Sequence, residues 1–313
     1  MRIVFCGETF PSARVLLQQR LSTDECHVWA DGNTLCQTSG VDVLIPMMFH
    51  IDAPVMDYIR PRLIQQWGSG LEGVSLEAAR ARRIPVAGVP SCGSNAESVA
   101  EHALLLILSL LRQLPAAQAN IQAGVLGAPL GRMLAGRVVC LWGLGATAFS
   151  LARRLRALDA RLVGITRDPA AQKVAAFRLD ACFPTEKLAE CLRDTEILVL
   201  CVRLSNETRG LVDANVLATL REGACLVNPA RGALLDYDAL YSALSTGRLR
   251  GAGLDVYWNE PIACDDALLA LPNVIATPHV AGVTEESYRE IADAVAANIE
   301  RIRRGESVLN RVA

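Results

Sequence analysis

The chain has no Cys-x-x-Cys pair, no apolar run long enough to cross a membrane, no strong charge of either sign and no internal repeat. Each absence excludes a class. Ten cysteines are scattered over 313 residues without ligand spacing, which argues against a zinc site and against a disulfide scaffold. Cys140, Cys201 and Cys225 sit inside apolar runs, where a thiol packs as a small hydrophobe. Cys92, in a Gly/Ser-rich loop, is the one thiol expected at the surface. No apolar stretch reaches the roughly 18 residues of a membrane span. The N-terminal Ile3–Cys6 run reads as a first strand and is too short for a signal peptide. A net charge of −2 gives no basic footprint for nucleic acid or an anionic membrane. A cytoplasmic, reduced and metal-free protein is expected.

What is present is an ordinary globular composition, 51% apolar and 20% charged, with the length for two cores. Short apolar runs alternate with helical patterns through the first hundred residues: Ile3–Cys6, Ala13–Leu21, His27–Trp29, Val41–Pro46, Leu63–Trp67, Leu76–Arg82 and Val86–Ala87. That alternation predicts a doubly wound parallel sheet. A turn-rich break, Pro90 to Asn95, precedes a long apolar helix from Ala96 to Gln113, with Ser94 or Asn95 as its N-cap. A second alternating set supplies six strands: Val138–Trp142, Leu162–Ile165, Ile197–Cys201, Ala224–Val227, Gly251–Val256 and Val274–Ala276. Six is the count of a complete dinucleotide-binding unit. The last helical stretch, Glu285 to Arg304, lies beyond it and can return to the first domain. The expected division is therefore 1–95 with 285–313 as a discontinuous substrate domain, and 96–284 as a dinucleotide-binding domain.

Within the second set, Val138–Trp142 runs into Gly143-Leu144-Gly145-Ala146-Thr147-Ala148, and a helical pattern follows at once. Strand, tight turn and helix are the context in which a glycine fingerprint places a pyrophosphate on a helix N-terminus. Gly143 makes the turn, Gly145 lets backbone approach phosphate, and Ala148 lets helix pack on strand. Gly143, Leu144, Gly145, Ala146 and Thr147 are the expected contacts. An acid that takes an NAD ribose belongs about 20 residues further on. Thr166 stands there instead, followed by Arg167. A hydroxyl and a guanidinium suit a 2′-phosphate, so NADP(H) is favoured, with NAD(H) open through Asp168.

Three later strand ends carry chemistry. Asn228-Pro229-Ala230-Arg231-Gly232, Leu254 to Pro261 with Asp255 and Glu260, and Thr277-Pro278-His279 each follow a strand. An Arg to grip a carboxylate, a proton-transferring His and an acid to hold it protonated are what a 2-oxo acid reductase needs.

These motifs, with Trp67 to Val74, Asn95 to His102 and Glu207 to Leu211, occur in an order that resembles the D-isomer-specific 2-hydroxyacid dehydrogenases. The likeness covers nearly the whole chain and is nearest in kind to glyoxylate/hydroxypyruvate reductase. It implies a Rossmann cofactor domain inserted in a flavodoxin-like substrate domain, and NAD(P)-dependent reduction of a 2-oxo acid. Arg231, by that likeness, binds the substrate carboxylate, His279 is the general acid and Glu260 its partner. Asp255 fixes the nicotinamide carboxamide, while Ser69 and Gly70 cradle the carboxylate through backbone amides. Cys201 and Arg203 border the adenosine half, where the family often has Pro at 203. The expected partners are a small 2-oxo or 2-hydroxy acid and a second copy, in a homodimer through the cofactor domain, with no nucleic acid and no membrane.

Two other readings share the fold: a dinucleotide-sensing corepressor-type protein, and a relative acting on formate, phosphite or phosphoglycerate. No clustered Lys/Arg set in the first domain is built for a substrate phosphate. Of the remaining histidines, His102 is expected to be packed on the long helix, His27 to end a strand, and His50 to sit in a surface loop. Met47, Met48, Phe49, Trp67 and Trp258 suggest an apolar rim.

Overall fold

The computed structural model describes residues 1–29 and 40–313, so Cys36 lies outside the described residues. The chain divides into two compact units, Met1–Asn95 with Thr284–Ala313, and Ala96–Val283.

In the first unit, β1 (Arg2–Cys6), β2 (Glu25–Trp29), β3 (Val43–Ile45), β4 (Leu63–Gln65) and β5 (Val86–Ala87) form one sheet in the order β2-β1-β3-β4-β5. Every pairing is parallel. This is the flavodoxin-like order, in which the winding of strands across the sheet reverses between β1 and β3. Helices α1 (Pro11–Arg20), α2 (Ala53–Ile59) and α3 (Leu76–Ala81) cross between strands. Asp52 and Ser75 cap the last two by accepting from the Val55 and Ala78 amides. His27 is internal to β2 rather than at its end, since pairing with Val4 and the following residues carries the strand on to Trp29.

The C-terminal helix, Glu285–Arg303 (the chain's α11), belongs to this unit. Its buried stripe runs Tyr288, Ile291, Ala292, Val295 and Ile299, the spacing of one helix face. Asn298 fixes it to β4 by donating to Gln65 Oε1 at 2.8 Å, both side chains being buried.

The second unit is a seven-stranded parallel sheet, one strand more than expected. Its strands are β6 (Val138–Trp142), β7 (Arg161–Ile165), β8 (Ala181–Phe183), β9 (Ile197–Leu200), β10 (Ala224–Asn228), β11 (Leu249–Leu254) and β12 (Val274–Ala276), in the order β12-β11-β10-β9-β6-β7-β8. The extra strand is β8, a three-residue edge whose residues are all half-buried. Its short run shows no alternation long enough to register as a strand in the sequence. The other six are built on apolar runs, and β6, β9 and β10 at the sheet centre are almost wholly buried because both faces are covered. Val139 and Leu141 of β6 join one core, while Cys140 and Trp142 join the other.

Helix α4 (Gly93–Arg112) begins earlier than expected, and neither Ser94 nor Asn95 is its N-cap. Glu290 of α11 accepts from the Ser94 amide at 2.8 Å, so a carboxylate from another helix satisfies the first turn instead. Then follow α5 (Leu114–Gln122), α6 (Ala146–Ala157), α7 (Ala171–Phe177), α8 (Leu188–Leu192), α9 (Ala214–Thr219) and α10 (Tyr237–Ser245). No single helix among the described residues is long and apolar enough to cross a membrane.

Candidate active site

In the second unit, strand order reverses between β6 and β9, and ligands of open α/β sheets bind outside the carboxyl ends at such a point. The glycine turn sits there. Gly143 adopts φ +97°, and a Cβ on it would stand 2.7 Å from the Cys201 carbonyl. Two loops leaving adjacent strands therefore approach too closely for any side chain. Gly145 is the N-cap of α6 and offers no side chain to its amides; a Cβ there would meet nothing within 4 Å. The first-turn N–H groups of a twelve-residue helix are thus open to an anion. Ala148 is fully buried, and Leu144 turns inward over Gly164 of β7. Ala146 is exposed and Thr147 half-buried at the start of the helix. This turn fits a dinucleotide pyrophosphate.

Thr166 follows β7, its amide donating to Phe183 of β8 at 3.1 Å. Arg167 is 88% exposed and lies 3.8 Å from Glu207, itself 82% exposed, so this ion pair is weak. Asp168 pairs instead with Lys173 at 3.3 Å. Arg203 is exposed on the loop after β9, and Thr208 organises that loop by donating to the Arg203 carbonyl at 2.8 Å. Burial pushes the Cys201 thiol up to about 12, which leaves it a neutral packing group.

The expected catalytic side chains converge further along the same edge. β10 ends in Asn228, fully buried, whose amide donates to the Arg231 carbonyl at 2.8 Å while its Oδ1 accepts from the Ala230 amide. That clamp sets Arg231 in extended backbone, φ −149°, without using its side chain. Gly232 comes next, and a Cβ there would collide with the Tyr257 carbonyl, so only glycine lets the Arg231 loop lie against the segment after β11.

Glu260 and His279 meet directly: Nδ1 lies 2.6 Å from Oε2, and the side chains are 24% and 12% exposed for His and Glu respectively. Glu260 Oε1 accepts from the Tyr257 amide at 2.9 Å, which orients the carboxylate. Burial raises the Glu260 carboxyl, but the hydrogen bond and charge of His279, the Tyr257 amide and the positive field of Arg231 outweigh it. The carboxyl ends below its ordinary range and ionised. The contact with Glu260 engages Nδ1 and so orients the imidazole ring.

Asp255 lies beneath the turn that carries His279. Its carboxylate is fully buried and accepts from the Thr277 hydroxyl at 2.5 Å, the Val280 amide at 2.9 Å and the Ala281 amide at 2.8 Å. Its backbone carbonyl accepts from the His279 amide at 2.8 Å. Asp255 thus holds together the turn that carries His279, because a buried carboxylate is stable only where donors surround it. His102, read as a packed helix residue, also reaches this network, with Nε2 2.9 Å from Thr277 Oγ1. Its signal in the sequence was the pair Ser98 and His102, two polar residues four apart in an apolar helix and so on one face.

Ser69 and Gly70 lie in the first unit, half-buried and buried respectively, in the loop after β4. Gln66 Nε2 donates to the Gly70 carbonyl at 2.6 Å and to the Met47 carbonyl at 3.0 Å, tying this loop to the one after β3. His50 is exposed there, and Met47 is buried at φ +52°. Trp258 packs edge-on against Tyr237, 5.0 Å between centroids, and donates to the Leu235 carbonyl, so it is a structural wedge of the second unit. Cys92 is exposed, and among the described residues no group of His, Cys, Asp and Glu could hold a metal.

Residues 104–281 match the family model of the D-isomer specific 2-hydroxyacid dehydrogenase NAD binding domain. Over 246 residues the chain is 35% identical to the (S)-sulfolactate dehydrogenase of Chromohalobacter salexigens, covering 77% of each protein. It is 31% identical to the D-3-phosphoglycerate dehydrogenase of Archaeoglobus fulgidus over 276 residues, 86% of this chain but only 51% of that protein. The chain thus spans about half the length of the phosphoglycerate dehydrogenases it matches. A solved NADPH-dependent glyoxylate/hydroxypyruvate reductase of Sinorhizobium meliloti, in complex with NADP and malonate, superposes with a TM-score of 0.83 at 30% identity, covering 100% of this chain and 96% of that one. With the fold and the order of its motifs, these matches show that the chain belongs to the D-isomer specific 2-hydroxyacid dehydrogenase family.

Proposed function

We propose that the protein is an NAD(P)-dependent 2-hydroxyacid dehydrogenase working as a 2-oxo acid reductase. The observation that carries this reading is the 2.6 Å contact between His279 and Glu260, with Arg231 near enough to help hold Glu260 ionised. When bound, the nicotinamide dinucleotide supplies the hydride. The residues supply everything else. Arg231 grips the substrate carboxylate and polarises the adjacent ketone, because a guanidinium fork matches two oxygens in one plane. His279 gives the proton from Nε2 to the oxygen that becomes the alcohol, and takes it back in the reverse direction. Glu260 holds the ring in the tautomer and charge state this requires. Gly143, Gly145 and the first turn of α6 take the pyrophosphate.

NADP(H) is the favoured cofactor. No carboxylate stands at Thr166 to take a ribose diol, and the exposed Arg167 has only a weak, solvent-exposed ion pair with Glu207 to compete with a 2′-phosphate. The Sinorhizobium reductase is NADPH-dependent, which supports the same choice. Initial rates on glyoxylate, hydroxypyruvate, pyruvate and phenylpyruvate with each cofactor test both points. Turnover on at least one acid is expected, with kcat/KM about tenfold or more higher for NADPH, the worth of one charge-assisted contact. A preference for NADH refutes the cofactor assignment, and silence on all four acids refutes the reductase.

The protein is further proposed to act as a homodimer through the second unit. Helix α5 buries none of its residues, and Leu126 and Leu130, in the segment that follows it, are each 90% exposed. Ile121 within α5 is 75% exposed and Leu105 on α4 is 52% exposed, apolar surface of the kind that a second copy can cover. Sedimentation should give a dimer that Leu126→Asp with Ile121→Lys converts to monomer; a monomeric wild type refutes it. Nine free cysteines and no disulfide among the described residues suit a reducing, cytoplasmic setting.

A further inference from the structure

Helix α4 carries Ser98 and His102 one turn apart, between the buried apolar positions Ala100, Ala103, Leu106 and Ile107. Both reach the segment that bears His279. Ser98 Oγ donates to the Ala281 carbonyl at 2.6 Å, and His102 Nε2 lies 2.9 Å from Thr277 Oγ1 and 3.4 Å from Asp255 Oδ1. Between these anchors His279 adopts φ +54°, a left-handed conformation rare in residues that carry a Cβ. Neighbouring structure must hold such a residue in place.

The hydrogen bonds also fix a proton. The Thr277 hydroxyl has one hydrogen, and Asp255 Oδ1 at 2.5 Å can only accept it. Toward His102 the Thr277 oxygen is therefore the acceptor, and Nε2 of His102 must carry hydrogen. The chain of donors runs from His102 to Thr277 to Asp255, and the Val280 and Ala281 amides complete the shell of the buried carboxylate.

We propose that His102 is a positioning residue of the reductase. Its Nε2–H fixes Thr277 and Asp255, and together with Ser98 it holds the 277–281 turn in the one conformation that sets His279 against Glu260. This rests on reading His279 as the proton donor.

The chain has four histidines, so ¹⁵N-histidine NMR of the whole protein can be assigned by substitution. The His102 ring should show its proton on Nε2. In His102→Leu the Nδ1–H signal of His279 should move and kcat should fall about 10- to 100-fold, with KM for the oxo acid and cofactor affinity little changed. His102→Gln, whose amide N–H reaches the same place, should recover most of the loss. Ser98→Ala should lower kcat in the same sense from the other anchor, and together with the Gln variant it carries the test if the Leu variant does not fold. A bare Nε2 overturns the proposal. So does a His102→Leu protein with wild-type kcat and an unmoved His279 signal, or a Gln variant no better than Leu. Retained turnover in His279→Gln would instead sink the proton-donor reading, whereas an inactive His279→Gln beside an unaffected His102→Leu sinks this inference alone.

Discussion

His279→Gln removes turnover by a factor of about 10²–10⁴, the usual worth of a positioned general acid, while the dissociation constant of NADPH stays within about twofold. Glutamine fills the space, and the turn around it is held by Asp255 and Thr277 rather than by the imidazole. Loss should therefore fall on kcat. Glu260→Gln is the companion variant. Its neutral amide gives up the charge-assisted contact with Nδ1, so kcat should fall while cofactor affinity is retained. The sign for stability is separate. The Glu260 carboxyl lies below its ordinary range, so its contribution is present above that range and fades as pH falls through the lowered value. The Gln variant should accordingly lose stability near neutrality and less in strong acid. Cofactor binding and turnover are read by nicotinamide fluorescence and absorbance, stability by urea titration at two pH values. A His279→Gln enzyme within tenfold of wild type would show that another group moves the proton.

The large features of the fold were legible because they follow from period and punctuation. Six of seven second-unit strands are built on short apolar runs, as sheets covered on both faces require, and the glycine turn stood between one of them and its helix. The misses have local causes. β8 is three residues at an edge and shows no period. The first turn of α4 is satisfied by Glu290, nearly two hundred residues away in sequence, so the capping signal at Ser94 and Asn95 misled. In the candidate site, residues that follow strands were placed at one sheet edge by the parallel topology itself. Their individual contacts were not legible. That Asp255 is fully buried beneath the turn depends on where the Val280 and Ala281 amides point, and no spacing rule encodes that. His102 was hidden for the same reason: a histidine in an apolar helix reads as packed until its partner is known.

Arg231→Lys is expected to lower kcat/KM for the oxo acid by about 10² and Arg231→Ala by about 10³–10⁴, with cofactor affinity nearly unchanged. The gradation follows from geometry. Lysine keeps a charge that can still hold Glu260 ionised, but offers a single point where the carboxylate and ketone need a planar fork. Alanine removes both, and the loss should appear in KM as well as kcat because the carboxylate is held in ground and transition states alike. Neither variant should unfold the loop. Its conformation is set by the Asn228 clamp on backbone atoms and by Gly232, whose missing Cβ admits the Tyr257 carbonyl. The Arg231 side chain does bond the Ala230 carbonyl at 2.7 Å, so a small loss of stability, about 1 kcal/mol, is expected. Added guanidinium at millimolar levels should partly restore the alanine variant, since the site keeps its shape around the missing group. Steady-state kinetics on a 2-oxo acid with and without guanidinium decides it. A lysine variant equal to wild type would mean that charge alone suffices. An alanine variant keeping more than about a tenth of wild-type kcat/KM would remove Arg231 from the site altogether.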